Sequence, residues 1–305
     1  MTRPIFLLTD FGTADTYVGI VKAVILGIAP DARIADLTHE VPPQDIRAGA
    51  FALLTAAPYL PRDAVVLAVV DPGVGTARRP IAVQVGSRTF VGPDNGLLSW
   101  ALTAEPGSLT PPPSQREREK ERERETAPHQ PDTSSRQHAP SEIGSYSAVV
   151  LDRPAFWLPS VSATFHGRDL FGPVAAGLAR GVPLADLGSP IGEIETIPFP
   201  VPRVTRAADG LIHAVHGEVI HVDRYGNLVT SLRAPDLPEQ PIVMIGGRAI
   251  AGLSPHFQDA GPGLLIALIG SAGLLEVAVP NGSAAKMLGV GVGAAVSVSV
   301  GHRPS

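Results

Sequence analysis

The 305-residue chain has no cysteine, which excludes disulfides, thiolate nucleophiles and cysteine-type zinc sites. Lysine is almost missing as well, with only Lys22, Lys120 and Lys286, a genomic composition bias and not a mechanistic signal. Positive charge is not in excess, since 24 Lys and Arg against 29 Asp and Glu leave a formal net charge of −5. That balance argues against nucleic acid or an anionic membrane as the main partner. No apolar run approaches the length of a bilayer span. The four-residue apolar run ahead of Thr9-Asp10 is too short for a signal peptide, so a soluble, cytoplasmic protein is expected. Walker A and GxSxG sequences are absent. Gly289, Gly291 and Gly293 lie outside any βαβ unit and fail as a dinucleotide fingerprint. His213, His216 and His221 invite a metal, but on a strand 216 faces away from 213 and 221, and no metal site is expected.

What the chain does have is a stretch from Ala64 to Arg79, AVVLAVVDPGVGTARR, around which the rest is organised. Its unbroken apolar start suits a strand buried on both faces of a parallel sheet. The run ends at Asp71, Pro72-Gly73 turns the chain, and Arg78-Arg79 follow. Ligands of open α/β sheets sit at the carboxyl ends of strands, so a carboxylate there with guanidinium groups nearby is a candidate site. An Asp that merely caps a turn and pairs with a surface Arg is the competing reading.

Upstream, Ile5–Leu8 reads as a strand ending at Thr9-Asp10-Phe11-Gly12, and Val18, Val21, Val24, Ile25 and Ile28 fall at helical spacing. Arg33–Leu37 is a second strand, and Asp45 is placed to cap a helix running through Leu60. Strands at Ile81–Val85 and Thr89–Val91 follow, and Gly92-Pro93-Asp94-Asn95-Gly96 opens a short helix. The expected fold is a three-layer α/β domain with a central, mainly parallel sheet over residues 1–182. Residues 110–145, built around REREKERERE and a Pro, Ser, His and Gln mixture, bury too little to fold and read as a disordered insertion. Order returns at Tyr146, and Leu170–Arg180 reads as a helix. The Pro- and Gly-punctuated stretch 183–202 reads as a linker. Residues 203–305 then hold short strands at turn spacing (Gly217–Val222, Asn227–Leu232, Gln240–Ile245, Leu264–Ile269, Leu274–Val279 and Ala294–Val300), as in a smaller all-β, barrel-like domain.

Asp10 and Asp71 both fall at the carboxyl ends of strands expected in the same sheet. His166 stands on the irregular segment Thr164-Phe165-His166-Gly167-Arg168-Asp169 ahead of a helix, where an isolated histidine is more often structural. Taken in order, TDFG at 9–12, DxYxG at 15–19, DPGVGTARR at 71–79, PDNG at 93–96, FHGRD at 165–169, DRYGN at 223–227 and SAGLLEVAVPNGSA at 271–284 resemble one family. It is the S-adenosylmethionine hydrolases, or hydroxide adenosyltransferases, relatives of the fluorinating and chlorinating enzymes. The resemblance spans nearly the whole chain except 110–145.

The resemblance implies an α/β domain followed by a β domain, a homotrimer with sites at subunit interfaces, and hydrolysis of S-adenosylmethionine to adenosine and L-methionine without a cofactor. It implies a water-activating set that maps onto Asp71, Arg78 and His166, with Arg79 the adjacent alternative for the arginine. The resemblance also implies that Asp10 takes the ribose hydroxyls, and Asp223 and Asn227 the amino-acid end. Tyr225, Phe257, Ser271, Val279 and Asn281 match further contact positions, with adenine near the last two. Phe165 counts among the substrate positions, as does Asn95, which carries no assigned contact. Either His166 or Asp71 serves as the final base in this scheme. The fluorinating relatives carry Tyr where this chain has Asp71, and Tyr-Ser where it has His166-Gly167. A carboxylate at 71 would repel a halide, which favours water over halide as the nucleophile. A binding protein without turnover would not need the Asp71, Arg78 and His166 set.

Overall fold

The structure, a computed structural model, describes residues 2–103, 145–208 and 210–301. Two compact units divide it, Met1–Ile197 and Pro198–Ser305. The expected insertion at 110–145 lies outside the described residues apart from Ser145.

The first unit is built on a seven-stranded sheet. Its strands are β1 (Ile5–Thr9), β2 (Ile34–Thr38), β3 (Val65–Val69), β4 (Pro80–Val85), β5 (Arg88–Pro93), β6 (Ser147–Val150) and β7 (Ser189–Ile191), in the spatial order β2-β1-β3-β5-β4-β6-β7. β3 explains why the sheet has helices on both sides. All five of its residues are buried, and they alternate: Val65, Leu67 and Val69 enter one core cluster, while Val66 and Ala68 enter the other. Each Val or Leu side chain here contributes about 1.5–3 kcal/mol when fully buried, so a charge at Leu67 would break the unit.

On the first face α1 (Tyr17–Ile28) inserts Val21 and Ile25, and α4 (Gly172–Ala179) inserts Val174, Ala175 and Leu178. On the other face α2 (Ile46–Ala56) supplies Leu53, and α3 (Ser99–Leu102) supplies Ala101 and Leu102. Asp45 caps α2 as expected, accepting the Ala48 amide at 2.9 Å. The α-helix stops at Ala56 and tightens to a 3-10 turn, Ala57–Tyr59, because Pro58 has no amide to continue the ladder.

Two expectations need correction. The sheet is mixed and not mainly parallel: β2, β1, β3 and β5 run parallel, whereas β4, β6 and β7 are added antiparallel. Residues 183–197 are not linker, since β7 pairs with β6 there and extends the first sheet. The mixed topology positions the site. Because β4 runs opposite to β3, the 70–79 loop starts and finishes at the carboxyl end of the parallel strands, the same end at which Asp10 leaves β1.

The second unit is an antiparallel sheet of β8 (Arg203–Arg206), β9 (Ile212–Val222), β10 (Leu228–Arg233), β11 (Pro241–Ile245), β12 (Arg248–Ala251), β13 (Ile266–Ile269), β14 (Leu274–Ala278) and β15 (Ala295–Val300), with one short helix, α5 (Ala284–Leu288). Its order is β12-β11-β15-β9-β10-β14-β13, with β8 on β9. The edge strands come back toward each other where the Ser254 amide donates to the Ala267 carbonyl at 2.7 Å, so the sheet nearly closes as a barrel around Val215, Val219, Val243, Leu275 and Val298. β8, β12 and α5 were not foreseen. They are short, and α5 is announced only by Ser283, whose hydroxyl accepts the Lys286 amide as its N-cap.

Candidate active site

Asp71 lies two residues beyond the end of β3, where the apolar run must end for the chain to leave the sheet. Two features of the Pro72–Ala77 turn hold it in place. The Val74 amide donates to the Asp71 carbonyl, and Gly75 adopts φ 76° with its backbone against the Ala163 carbonyl. A Cβ at Gly75 would overlap that oxygen, so the aspartate loop and the loop carrying His166 interlock only because residue 75 is glycine.

Arg78 joins the two loops. Its Nε donates to Asp71 Oδ1 at 2.9 Å and one terminal nitrogen donates to Asp71 Oδ2, a fork-on-carboxylate pairing. The same terminal nitrogen donates to His166 Nδ1 at 2.8 Å. The guanidinium lies 5.2 Å from the centre of the Phe171 ring, and the side chains of Arg78 and Asp71 are 9% and 5% exposed. Arg79 points elsewhere, donating to Asp94 Oδ2 at 2.7 Å and to the Glu193 carbonyl at 3.1 Å. Successive residues of an extended segment face opposite sides, so of the two adjacent arginines only Arg78 can reach both Asp71 and His166. An arginine only donates, so Nδ1 of His166 is the acceptor and the ring proton belongs on Nε2. Burial, and then the neighbouring Arg78 charge, push the His166 pKa below its ordinary value.

His166 is oriented from behind by a π-helical turn, Gly167–Phe171, which leads into α4, a geometry enriched at functional sites. Asp169 anchors it. Its fully buried carboxylate accepts the Ser162 amide at 2.8 Å and two bonds from Arg168. Burial opposes its ionisation, but these donors together hold its pKa below the usual carboxylate range. Phe165 packs edge-on against Phe11 and Tyr17, at centroid distances of 5.8 and 5.3 Å. The residue after Asp10 therefore touches the segment that bears His166. Asp10 itself accepts the Gln44 amide at 2.8 Å. Asn95 has a structural task, donating to the Val70 carbonyl at 2.9 Å and accepting the Leu97 amide at 3.1 Å.

In the second unit Asp223 organises the turn between β9 and β10. Its Oδ1 accepts the amides of Tyr225 and Asn227 at 2.9 and 2.8 Å, and its Oδ2 accepts the Asn227 side-chain amide at 2.8 Å. Tyr225 is 75% exposed at the tip. The Ala285 amide donates to the Gly226 carbonyl, which seats this turn on the first turn of α5. Asn281 itself adopts φ 57°. Val279 is buried in the barrel core, Ser271 is exposed at the turn before β14, and Phe257 is half exposed on a separate 3-10 turn. Burial, and then the nearby Asp223 charge, raise the pKa of Glu276.

Sequence reasoning passed over Asp94, Asp169 and the pair Thr9–His39. FHGRD includes Asp169, and the buried run of the 93–96 motif includes Asp94, but nothing in either marks an anchoring role. Among the described residues no group of three or more His, Cys, Asp or Glu side chains could hold a metal ion, and no helix is long and apolar enough to cross a membrane.

Comparison with known proteins finds relatives that cover nearly the whole chain. The SAM hydroxide adenosyltransferase N-terminal domain matches residues 5–132 and the C-terminal domain of that family matches 217–297. An (R)-S-adenosyl-L-methionine hydrolase of Thermus thermophilus is 42% identical, covering 94% of this chain and 96% of that protein. One from Salinispora tropica is 40% identical over 96% of each, while a fluorinase of Nocardia brasiliensis is 26% identical over 98% of each. The crystal structure of an uncharacterized conserved protein from Thermotoga maritima superposes with a TM-score of 0.77 at 30% identity, covering 97% of this chain and 99% of that one. With both domains matched and full-length relatives well above 30% identity, the chain belongs to the SAM hydroxide adenosyltransferase family.

Proposed function

We propose that the protein hydrolyses S-adenosylmethionine to adenosine and L-methionine by in-line attack of water on the ribose C5′. The observation that carries this reading is the single guanidinium of Arg78 holding both Asp71 and His166. Such a set suits activation of a water molecule, which is a poor nucleophile until it is oriented and relieved of a proton.

The reaction balances simply. The water oxygen forms a bond to C5′, the C5′–S bond breaks with its electron pair passing to sulfur, and the sulfonium leaves as the neutral thioether of methionine. That leaving group needs no general acid. The water proton passes to a base and then to solvent. Because Nδ1 of His166 accepts from Arg78, the imidazole is a donor at Nε2, suited to fixing the water oxygen. Asp71 is then the proton acceptor, and Arg78 keeps it ionised and aimed. Asp10 takes the ribose hydroxyls, Phe165 borders the reacting carbon, and Asp223, Tyr225 and Asn227 hold the amino-acid end. Phe257, Ser271, Val279 and Asn281 complete the nucleoside side. Asn95, also among the substrate positions, supports the loop behind Asp71 through its bonds to Val70 and Leu97.

The relatives at 39–42% identity carry a name that specifies the (R) configuration at sulfur, and the proposal extends that preference to this chain. It also includes a cytoplasmic location and the homotrimer that the family resemblance implies, which light scattering on the purified protein checks. The deciding experiment incubates the protein with the separated sulfonium epimers in H₂¹⁸O, with and without chloride, and identifies products by mass spectrometry. Adenosine labelled at the 5′-oxygen, formed faster from the (R) epimer, is the expected result. A 5′-chloro nucleoside, or binding without turnover, would overturn it.

A further inference from the structure

We infer that His39 is a positioning residue for the Thr9–Gly12 loop, and through it for the Asp10 carboxylate that grips the ribose hydroxyls; the inference rests on the proposed function above.

His39 follows β2 and is 5% exposed, and Thr9, the last residue of β1, is 2% exposed. Thr9 Oγ1 and His39 Nδ1 are 2.8 Å apart. Thr9 Oγ1 also accepts the Phe11 amide at 3.2 Å, and the His39 carbonyl accepts the Gly12 amide at 2.8 Å. On its other side His39 Nε2 stands 3.1 Å from Asp36 Oδ1, within ion-pairing reach though off the line of a well-formed hydrogen bond. Asp36 Oδ2 accepts from Lys22 Nζ at 2.7 Å.

These contacts have one self-consistent direction. A carboxylate only accepts, so the ring proton sits on Nε2, facing Asp36. Nδ1 then accepts the Thr9 hydroxyl proton, which leaves the Thr9 oxygen free to accept from Phe11. The chain of donors thus runs from the Phe11 amide through Thr9 and His39 to Asp36, at a surface held by Lys22. It brackets Asp10 from both sides, since residues 9, 11 and 12 are all tied to it while Asp10 is tied to Gln44. The well-formed bonds of this buried network are those joining Phe11, Thr9, Gly12 and His39, and the Asp36 carboxylate orients the ring from its other side by charge. Thr9 is no nucleophile despite the Thr-His-Asp order, because its oxygen is buried and occupied by the Phe11 amide.

The two ring nitrogens can be replaced separately. Asn at 39 keeps a polar atom near the Nδ1 position, facing Thr9, and Gln keeps one near Nε2, facing Asp36. With the full chain, H39Q should raise KM for S-adenosylmethionine and Kd for adenosine about tenfold, the scale of one lost hydrogen bond to a charged group. It should leave kcat within about threefold, because Asp71, Arg78 and His166 are untouched. H39N should restore most of the affinity. T9V should resemble H39Q, and the double variant should be no worse than either single one. Binding of 2′,3′-dideoxyadenosine should not change, since it offers Asp10 no hydroxyls. A residue that served only to hold the fold would lower the melting temperature without this split. H39Q with undiminished adenosine affinity, or with equal losses for adenosine and the dideoxy analogue, would overturn the inference alone. Wild-type protein that neither cleaves S-adenosylmethionine nor binds adenosine would overturn the functional reading beneath it.

Discussion

Replacing Arg78 with lysine separates charge from geometry. Arg78 makes three hydrogen bonds, two to Asp71 and one to His166, from a side chain only 9% exposed. Lysine retains the positive charge but offers a single nitrogen, which cannot fork onto the carboxylate and reach the imidazole together. Losing one preorganised donor in an active site costs about 2.7–4 kcal/mol of transition-state stabilisation, so kcat should fall by roughly 10²–10³. KM should stay near the wild-type value, because in the proposed mechanism Arg78 acts on the nucleophile and not on the substrate. Methionine at the same position is less informative. It leaves Asp71 buried without a partner at about 3–5 kcal/mol, a large part of the ~5–15 kcal/mol that holds a domain together. The assay is the initial rate of adenosine release at several S-adenosylmethionine concentrations, with R79K as the companion. Arg79 is 41% exposed and serves Asp94, so R79K should keep kcat within about threefold. An R78K enzyme with near-normal kcat, or an R79K enzyme equally damaged, would refute the assignment.

Further outcomes follow from the same geometry. Because the His166 pKa is pushed below its ordinary 6.5, the neutral ring persists as pH falls through that value; the acid limb of kcat/KM should lie lower still, and one at or above 6.5 would contradict the arrangement. Gly75→Ala should cost more than about 1–2 kcal/mol from the left-handed backbone alone and displace the Ala163 loop, lowering both melting temperature and kcat. Asp169 has a depressed pKa in the folded state, so its contribution is present above the unfolded value near 3.8 and is lost as pH falls through the folded one. The melting-temperature gap between wild type and D169N should therefore be widest near neutrality and close in strong acid, as calorimetry across pH would show.

Much of this was legible because local chemistry and tertiary structure agree. β3 reads as a doubly buried strand because every residue from Val65 to Val69 is apolar, and it is one. Asp45 announces a helix start and caps it. What escaped was decided by distant partners. β7 hides in a Pro- and Gly-rich stretch because Pro190 sits on an edge strand, where a missing amide costs little. The antiparallel half of the sheet depends on β4 finding β6 across more than sixty intervening residues, and no periodicity encodes that choice. Arg78 and Arg79 are indistinguishable as letters; only the direction in which the extended chain enters β4 separates them. His39 reads as an unremarkable loop residue until β1 and β2 are laid side by side.

The fit of Gly75 against the Ala163 carbonyl bears on how this enzyme could be diversified. Two loops that share one steric lock cannot be varied independently, so libraries that randomise 73–76 or 162–166 alone should return mostly inactive clones. Phe11, Tyr17 and Phe165 meet through their rings and not through backbone. Exchanges among bulky side chains there are the more promising route to altered substrate range.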